Sequence, residues 1–199
     1  MKIGIVLYPT YGGSGVVATE LGKALSERGD EVHFISYSQP VRLDFLNNQI
    51  FYHKVDVSDY PLFEYPPYEL ALASKIVEVV KSRGLNILHV HYAIPHAYAS
   101  CVAKQILMED QIHIPVVTTL HGTDITLVAR HPNYAPAVEF SINHSDVVTT
   151  VSDSLKTDTL KQFNIKNKIH VIPNFVDNRL YKNVFSEDLK KSFITNDEY

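Results

Sequence analysis

A single cysteine, Cys101, stands in the 199-residue sequence, so no intrachain disulfide can form and a reducing compartment is expected. Its neighbours, Ala99-Ser100 and Val102-Ala103, are small or apolar, which suits a buried inert thiol better than a nucleophile. No run of five like charges occurs, which excludes an acidic or basic tail. Neither sign of charge dominates. Eighteen Lys and Arg against 22 Asp and Glu give a formal net charge of -4, whereas a nucleic-acid partner calls for a clustered basic surface. Long apolar runs are missing too: the opening Met1-Lys2-Ile3-Gly4-Ile5-Val6-Leu7 stops at Pro9, too short for a signal-peptide core or a membrane span. These absences lead to the expectation of a soluble, cytoplasmic protein without nucleic-acid or membrane partners. Neither Asp-x-Asp nor His-Glu-x-x-His occurs, so a metal-dependent mechanism has no ligands of that spacing, and no metal or cofactor is expected.

The residues that are present, 45% hydrophobic and 20% charged, describe a globular chain long enough for one sizeable α/β domain. Short β-branched runs at 2–7, 31–36, 50–55, 87–90, 116–119, 147–150 and 169–172 read as strands. Several are apolar throughout rather than alternating, as strands covered on both faces are. Between them, Val17, Leu21, Ala24 and Leu25 form one helical stripe, and Leu72, Ile76, Val79 and Val80 a second. Further helices are expected over 97–108 and 154–163. The alternation predicts an α/β fold: a Rossmann-like parallel sheet with right-handed crossovers and helices on both faces. In such a sheet ligands bind outside the carboxyl ends of the strands, so the segments after Leu7, Val90, Thr119 and Thr150 are the ones to read for chemistry. Residues 1–173 read as this domain. Residues 174–199, polar after Pro173-Asn174 and with one weak helix around 186–193, read as a linker toward a further domain.

After the first strand comes Tyr8-Pro9-Thr10-Tyr11-Gly12-Gly13-Ser14-Gly15-Val16-Val17-Ala18. Glycines allow a tight turn and close approach to backbone N–H groups, and a helix starting near Gly15 would aim its positive end at the crevice. Gly13-x-Gly15-x-x-Ala18 also fits the dinucleotide fingerprint, which keeps an NAD-dependent oxidoreductase and a noncatalytic ligand-binding module open. Against NAD, Tyr8 to Gly12 lengthen the loop, and Ile35-Ser36-Tyr37-Ser38 carries no acid for a ribose. No Gly-Lys-Ser or Gly-Lys-Thr follows, which excludes a P-loop.

His89 and His91 share one strand face and read as hydrogen-bonded histidines, while Tyr92 and His96 lie where a ligand would sit. The loop Thr118-Thr119-Leu120-His121-Gly122-Thr123-Asp124-Ile125-Thr126 is crowded with hydrogen-bonding side chains around a turn glycine. Ser152 and Asp153 read as a cap for the next helix.

Taken in order, the stretches Tyr8 through Gly15, Phe63-Glu64-Tyr65-Pro66-Pro67-Tyr68, His89 through His96, Thr118 through Leu127 and Ile172 through Asp177 resemble the acceptor domain of GT-B glycosyltransferases of family four. The resemblance reaches to about Asp177. It is greatest to members that move N-acetylglucosamine from UDP-N-acetylglucosamine to the hydroxyl of L-malate in bacillithiol biosynthesis. It implies a retaining, metal-independent transferase whose basic donor-binding residues lie in a second domain. The partners it implies are a UDP-sugar and a small dicarboxylate, and it leaves homo-oligomerisation open. By the same resemblance, Gly12, Gly13 and Gly15 lie against the donor diphosphate, Ser14, Tyr92, Thr119 and Thr123 hold the acceptor, and His121 is the catalytic-site residue that approaches the transferred sugar.

Overall fold

Strands buried on both faces need apolar side chains on both, and the seven apolar runs of the sequence form seven strands in the computed structural model, which describes residues 1–44, 48–58, 61–178 and 181. They are β1 (Lys2–Val6), β2 (Glu31–Ser36), β3 (Ile50–Lys54), β4 (Ile87–His91), β5 (Val116–Leu120), β6 (Val147–Thr150) and β7 (Ile169–Val171). The sheet order is β3-β2-β1-β4-β5-β6-β7, and every pairing is parallel. The direction of winding reverses between β1 and β4, where Val6 lies opposite Val90, so the loops leaving these two strands diverge and open a crevice.

The helices are α1 (Gly13–Glu27), α2 (Tyr68–Arg83), α3 (Tyr98–Glu109), a single turn α4 (Thr123–Thr126), α5 (Ala135–His144) and α6 (Asp153–Gln162). Alternate residues of β1 and β2 feed opposite layers. Ile3, Ile5, Leu7, Val32 and Phe34 pack with Ala18 of α1, while Val6 and Ile35 pack with the α2 and α3 side chains. A third cluster joins Leu120, Val148 and Ile169 to α5 and α6.

The expected α2 stripe is the buried one: Leu72, Ile76, Val79 and Val80 are enclosed. The helix stops at Gly84, left-handed at φ 66°, whose N–H donates to the Val80 carbonyl. The expected α1 stripe is not the buried one. Gly15, Ala18, Thr19, Gly22 and Ser26 face the sheet, and Val17, Leu21, Ala24 and Leu25 are only half-buried. The reason is close approach: a Cβ on Gly22 would overlap Phe34 and Ile5, so small residues form the contact and larger apolar ones are turned aside. Helices α4 and α5 were not expected from the periodicity, and the weak helix around 186–193 lies outside the described residues. Ser152 caps α6 as expected, its Oγ accepting from the Leu155 N–H at 3.2 Å. Cys101 is buried, and burial pushes its thiol up to about 11.

Candidate functional site

The loop after β1 runs into α1 with no side-chain cap and no acidic residue in the first turn. Gly12 is extended (φ -62°, ψ 155°), and its carbonyl accepts from the Val16 N–H. A helix start leaves its first N–H groups without acceptors inside the helix, so Gly13, Ser14 and Gly15 present theirs at the positive end of α1. The three glycines differ in what surrounds them. A Cβ on Gly15 would overlap the backbone carbonyls of Tyr8 and Thr10, so this glycine folds the loop over the helix. A Cβ on Gly13 meets nothing within 4 Å, and its backbone is the open one. Where a dinucleotide binder would carry an acid, at the carboxyl end of β2, stands Ser36, whose hydroxyl donates to the Ser38 carbonyl at 2.6 Å.

Across the crevice, the strand β4 ends in an irregular turn. Tyr92 has φ 87° and ψ 138°, a conformation that side-chain-bearing residues seldom adopt. Its N–H donates to the Thr119 carbonyl at 3.0 Å, which ties the turn to β5. The Ile94–Pro95 peptide bond that follows is cis. This backbone turns the Tyr92 ring back over the strand ends. There it stacks on His121 (5.5 Å, 21°) and meets the edge of Tyr8 (5.1 Å, 86°), spanning the gap between β1 and β4. The Tyr92 hydroxyl lies 2.7 Å from Thr123 Oγ1, so the two form an accessible hydroxyl pair. Burial pushes the Tyr8 phenol up to about 12, keeping it a neutral donor.

The loop carrying His121 and Thr123 is held by a residue that sequence reasoning missed. Asp124 is fully buried, and its carboxylate accepts the N–H groups of His121 (3.2 Å), Gly122 (2.9 Å) and Ala93 (3.3 Å). One side chain therefore pins the β4 and β5 loops together. Desolvation raises its pKa while the three amides oppose that rise. Gly122, at φ 126°, makes the sharp turn that lets Asp124 face back on the preceding amides. The usual sequence signal for such an Asp is a side chain bonding two residues forward, whereas Asp124 reaches back to His121 and Gly122 and across to Ala93.

Beneath the loop lies a set of imidazoles. His89 and His91 do share a strand face, and their rings stack at 4.6 Å. His89 Nε2 lies 2.7 Å from Thr119 Oγ1, and His91 Nδ1 lies 2.8 Å from His121 Nε2. Burial lowers His89, His96 and His121 to about 4, and His91 well below the ordinary value, so all four are neutral near neutrality.

Two expected positions need correction. His96 does not face the crevice. It is fully buried, its Nδ1–H donates to the His91 carbonyl at 2.5 Å, and the Tyr8 ring covers it at 4.4 Å. The Thr119 hydroxyl is taken up inside the sheet by His89 and by Thr149 Oγ1 at 2.7 Å, because its strand position points it into the layer. Tyr92, His121 and Thr123, by contrast, are brought together at the ends of β4 and β5, while Gly12, Gly13 and Ser14 begin α1 after β1, on the side from which Tyr8 meets Tyr92. Among the described residues no group of three or more His, Cys, Asp or Glu side chains is arranged to hold a metal ion. Nor is any described helix long and apolar enough to cross a membrane.

The sequence model of Glycosyltransferase Family 4 matches residues 11–180. An N-acetyl-alpha-D-glucosaminyl L-malate synthase from Bacillus anthracis is 49% identical over 193 residues, covering 97% of this chain and 50% of the relative. An uncharacterized glycosyltransferase of Methanocaldococcus jannaschii is 25% identical over 178 residues, 89% of this chain and 47% of its own. Among solved structures, Anabaena HepE in complex with UDP-glucose superimposes with a TM-score of 0.63 at 19% identity, covering 91% of this chain and 46% of that one. A Rickettsia africae glycosyltransferase gives 0.63 at 22% identity, covering 96% and 48%. The chain thus spans about half the length of the curated relatives that match along most of it.

Proposed function

The chain belongs to Glycosyltransferase Family 4, and from that membership we propose that it forms the acceptor-binding half of a retaining, metal-independent hexosyltransferase moving N-acetylglucosamine from UDP-N-acetylglucosamine to the hydroxyl of L-malate. The observation that carries the choice of substrates is the 49% identity, along 97% of the chain, to the Bacillus anthracis malate synthase. On this reading residues 1–173 are the acceptor-side domain and 174–199 a linker. The lone buried thiol supports a cytoplasmic setting.

The reaction replaces the C1–O bond to UDP with a C1–O bond to the malate hydroxyl oxygen, whose proton leaves with UDP or solvent. Charge therefore grows on the diphosphate as the bond breaks. The free amides of Gly13, Ser14 and Gly15 are fixed donors for that charge and need no reorganisation. The crevice loops 8–15, 92–97 and 121–127 contain no Lys or Arg, so these amides are the positive potential that the chain itself offers there. Malate, a small dianion, suits neutral donors: the Tyr92–Thr123 hydroxyl pair and Ser14 can each give an O–H to a carboxylate. Thr119 contributes indirectly, through the carbonyl that holds the Tyr92 N–H. His121, neutral and stacked under Tyr92, borders the path of the sugar. Asp124 accepts three amides and is sealed from the crevice, so we assign no residue as a base.

Titrating the 15N-labelled chain with L-malate and, separately, with lactate tests the proposal. Malate is expected to shift the amides of Ser14, Tyr92 and Thr123, lactate to leave them in place, and Tyr92→Phe to weaken the malate response. Equal shifts with both acids, or none with malate, would remove malate as the acceptor. Two substrates need both walls of a cleft to be oriented, so the chain assayed alone should release no UDP above background.

A further inference from the structure

The stacked histidines contain one that the substrate contacts do not use. His91 is 1% exposed, wedged between the rings of His89 (4.6 Å, 22°) and His121 (5.1 Å, 26°). Its Nδ1 lies 2.8 Å from His121 Nε2, and its own Nε2 is enclosed without a partner among the described residues. Its carbonyl is likewise occupied, by the Nδ1–H of His96. A hydrogen bond between two neutral imidazoles needs the proton on one of the two facing nitrogens. If His121 Nε2 carried it, His91 would have to hold its proton on Nε2, an enclosed N–H with nothing to receive it. If His91 Nδ1 carries it, the enclosed Nε2 is a bare acceptor. An orphaned buried N–H is rarer in folded proteins than an acceptor left with a free lone pair, which favours the second arrangement. A charged His91 is excluded by its burial among three other imidazoles.

We propose that His91 is a positioning residue: its Nδ1–H donates to His121 Nε2 and fixes His121 as the Nδ1–H tautomer, so that the crevice side of His121 presents a hydrogen-bond donor. His121 Nδ1 belongs to a half-buried side chain, makes no hydrogen bond among the described residues, and is not enclosed as His91 Nε2 is. An N–H there accommodates a ligand oxygen with a free lone pair, a sugar hydroxyl or a phosphoryl oxygen, and keeps the imidazole uncharged while doing so. The other tautomer would present a bare lone pair and select for a donor instead. The tautomer assignment stands on the protein alone; only its consequence for sugar transfer rests on the proposed function.

Long-range 1H–15N correlation spectra of the chain labelled with 15N-histidine read the tautomer directly, and His121→Gln identifies the His121 signals. In the unsubstituted chain His121 is expected to show a pyrrole-like Nδ1 and a pyridine-like Nε2, opposite to the tautomer that a free neutral histidine favours. His91→Asn, whose amide Nδ2–H occupies the place of Nδ1–H, is expected to preserve that pattern. His91→Leu is expected to abolish it, with His121 reverting to Nε2–H. A pyridine-like Nδ1 in the unsubstituted chain, or an unchanged pattern in a folded His91→Leu chain, overturns the proposal. Because no substrate takes part, malate can fail to bind while the tautomer holds, and the reverse, so the two readings are judged separately.

Discussion

A glycine can be present for what its missing side chain lets past or for what it lets in, and the loop after β1 holds both kinds. Gly15 has the carbonyls of Tyr8 and Thr10 against its Cα, whereas Gly13 faces open space. Gly15→Val should therefore overpack the loop and lower stability by about 1–3 kcal/mol in urea denaturation. Gly13→Val should leave stability within about 0.5 kcal/mol, since valine is the better helix former. It should nevertheless abolish the amide shifts that UDP-N-acetylglucosamine induces at Ser14 and Gly15. Equal stability losses at both positions would show Gly13 to be structural as well, and intact donor shifts in Gly13→Val would show that the donor does not need the open face of Gly13. The sequence alone groups these glycines as one anion-binding motif. It cannot divide them, because the division depends on where Tyr8 and Thr10 fold back, which no local pattern encodes.

At the scale of elements, the strands were legible because burial on both faces leaves continuous apolar runs such as Ile3 through Leu7, and the structure ends each within a residue of the expected bounds. Helix α1 was misread in orientation because its sheet contact is made of small and polar residues, which carry little periodic signal. The crevice loops were legible in part. Tyr92, His121 and Thr123 follow strand ends, where ligands gather. Asp124 was not recognised because its importance lies in joining Ala93, His121 and Gly122 across two loops. Asp124→Asn keeps the shape but turns an N–H toward amides that also donate. It should lower stability by about 2 kcal/mol by chemical denaturation. It should also shift the Tyr92 and Thr123 amides, since the same carboxylate sets the loop that brings their hydroxyls to 2.7 Å. A loss below about 0.5 kcal/mol with unmoved amides would mean the loop holds itself without the carboxylate.

Across the whole molecule the histidines couple folding to pH, a property invisible in a formal charge of -4 that counts them as neutral. His33, His53, His89, His91, His96 and His121 all have their pKa values lowered, chiefly by burial, with His53, His89, His96 and His121 at about 4. Unfolding returns each to its ordinary value of 6.5. Between those limits the unfolded chain binds more protons than the folded one, so stability is full above 6.5 and falls as the pH drops toward 4. Glu31, lowered mainly by the His33 hydrogen bond, works in the same direction at the acid end, and Asp124, raised by desolvation, in the opposite one. The wholly buried His96 alone costs about 3 kcal/mol over its window. Against a typical stability of ~5–15 kcal/mol, a loss of that size is a large fraction of the total. Urea denaturation followed by circular dichroism should therefore give midpoints that decline steadily below 6.5, with net proton uptake on unfolding. His96→Phe, if it folds, should flatten part of that slope by removing one of the protons taken up. A midpoint that stays constant from neutrality down to about pH 5 would mean the imidazoles reach solvent or partners when protonated, contrary to the burial of His33, His91 and His96.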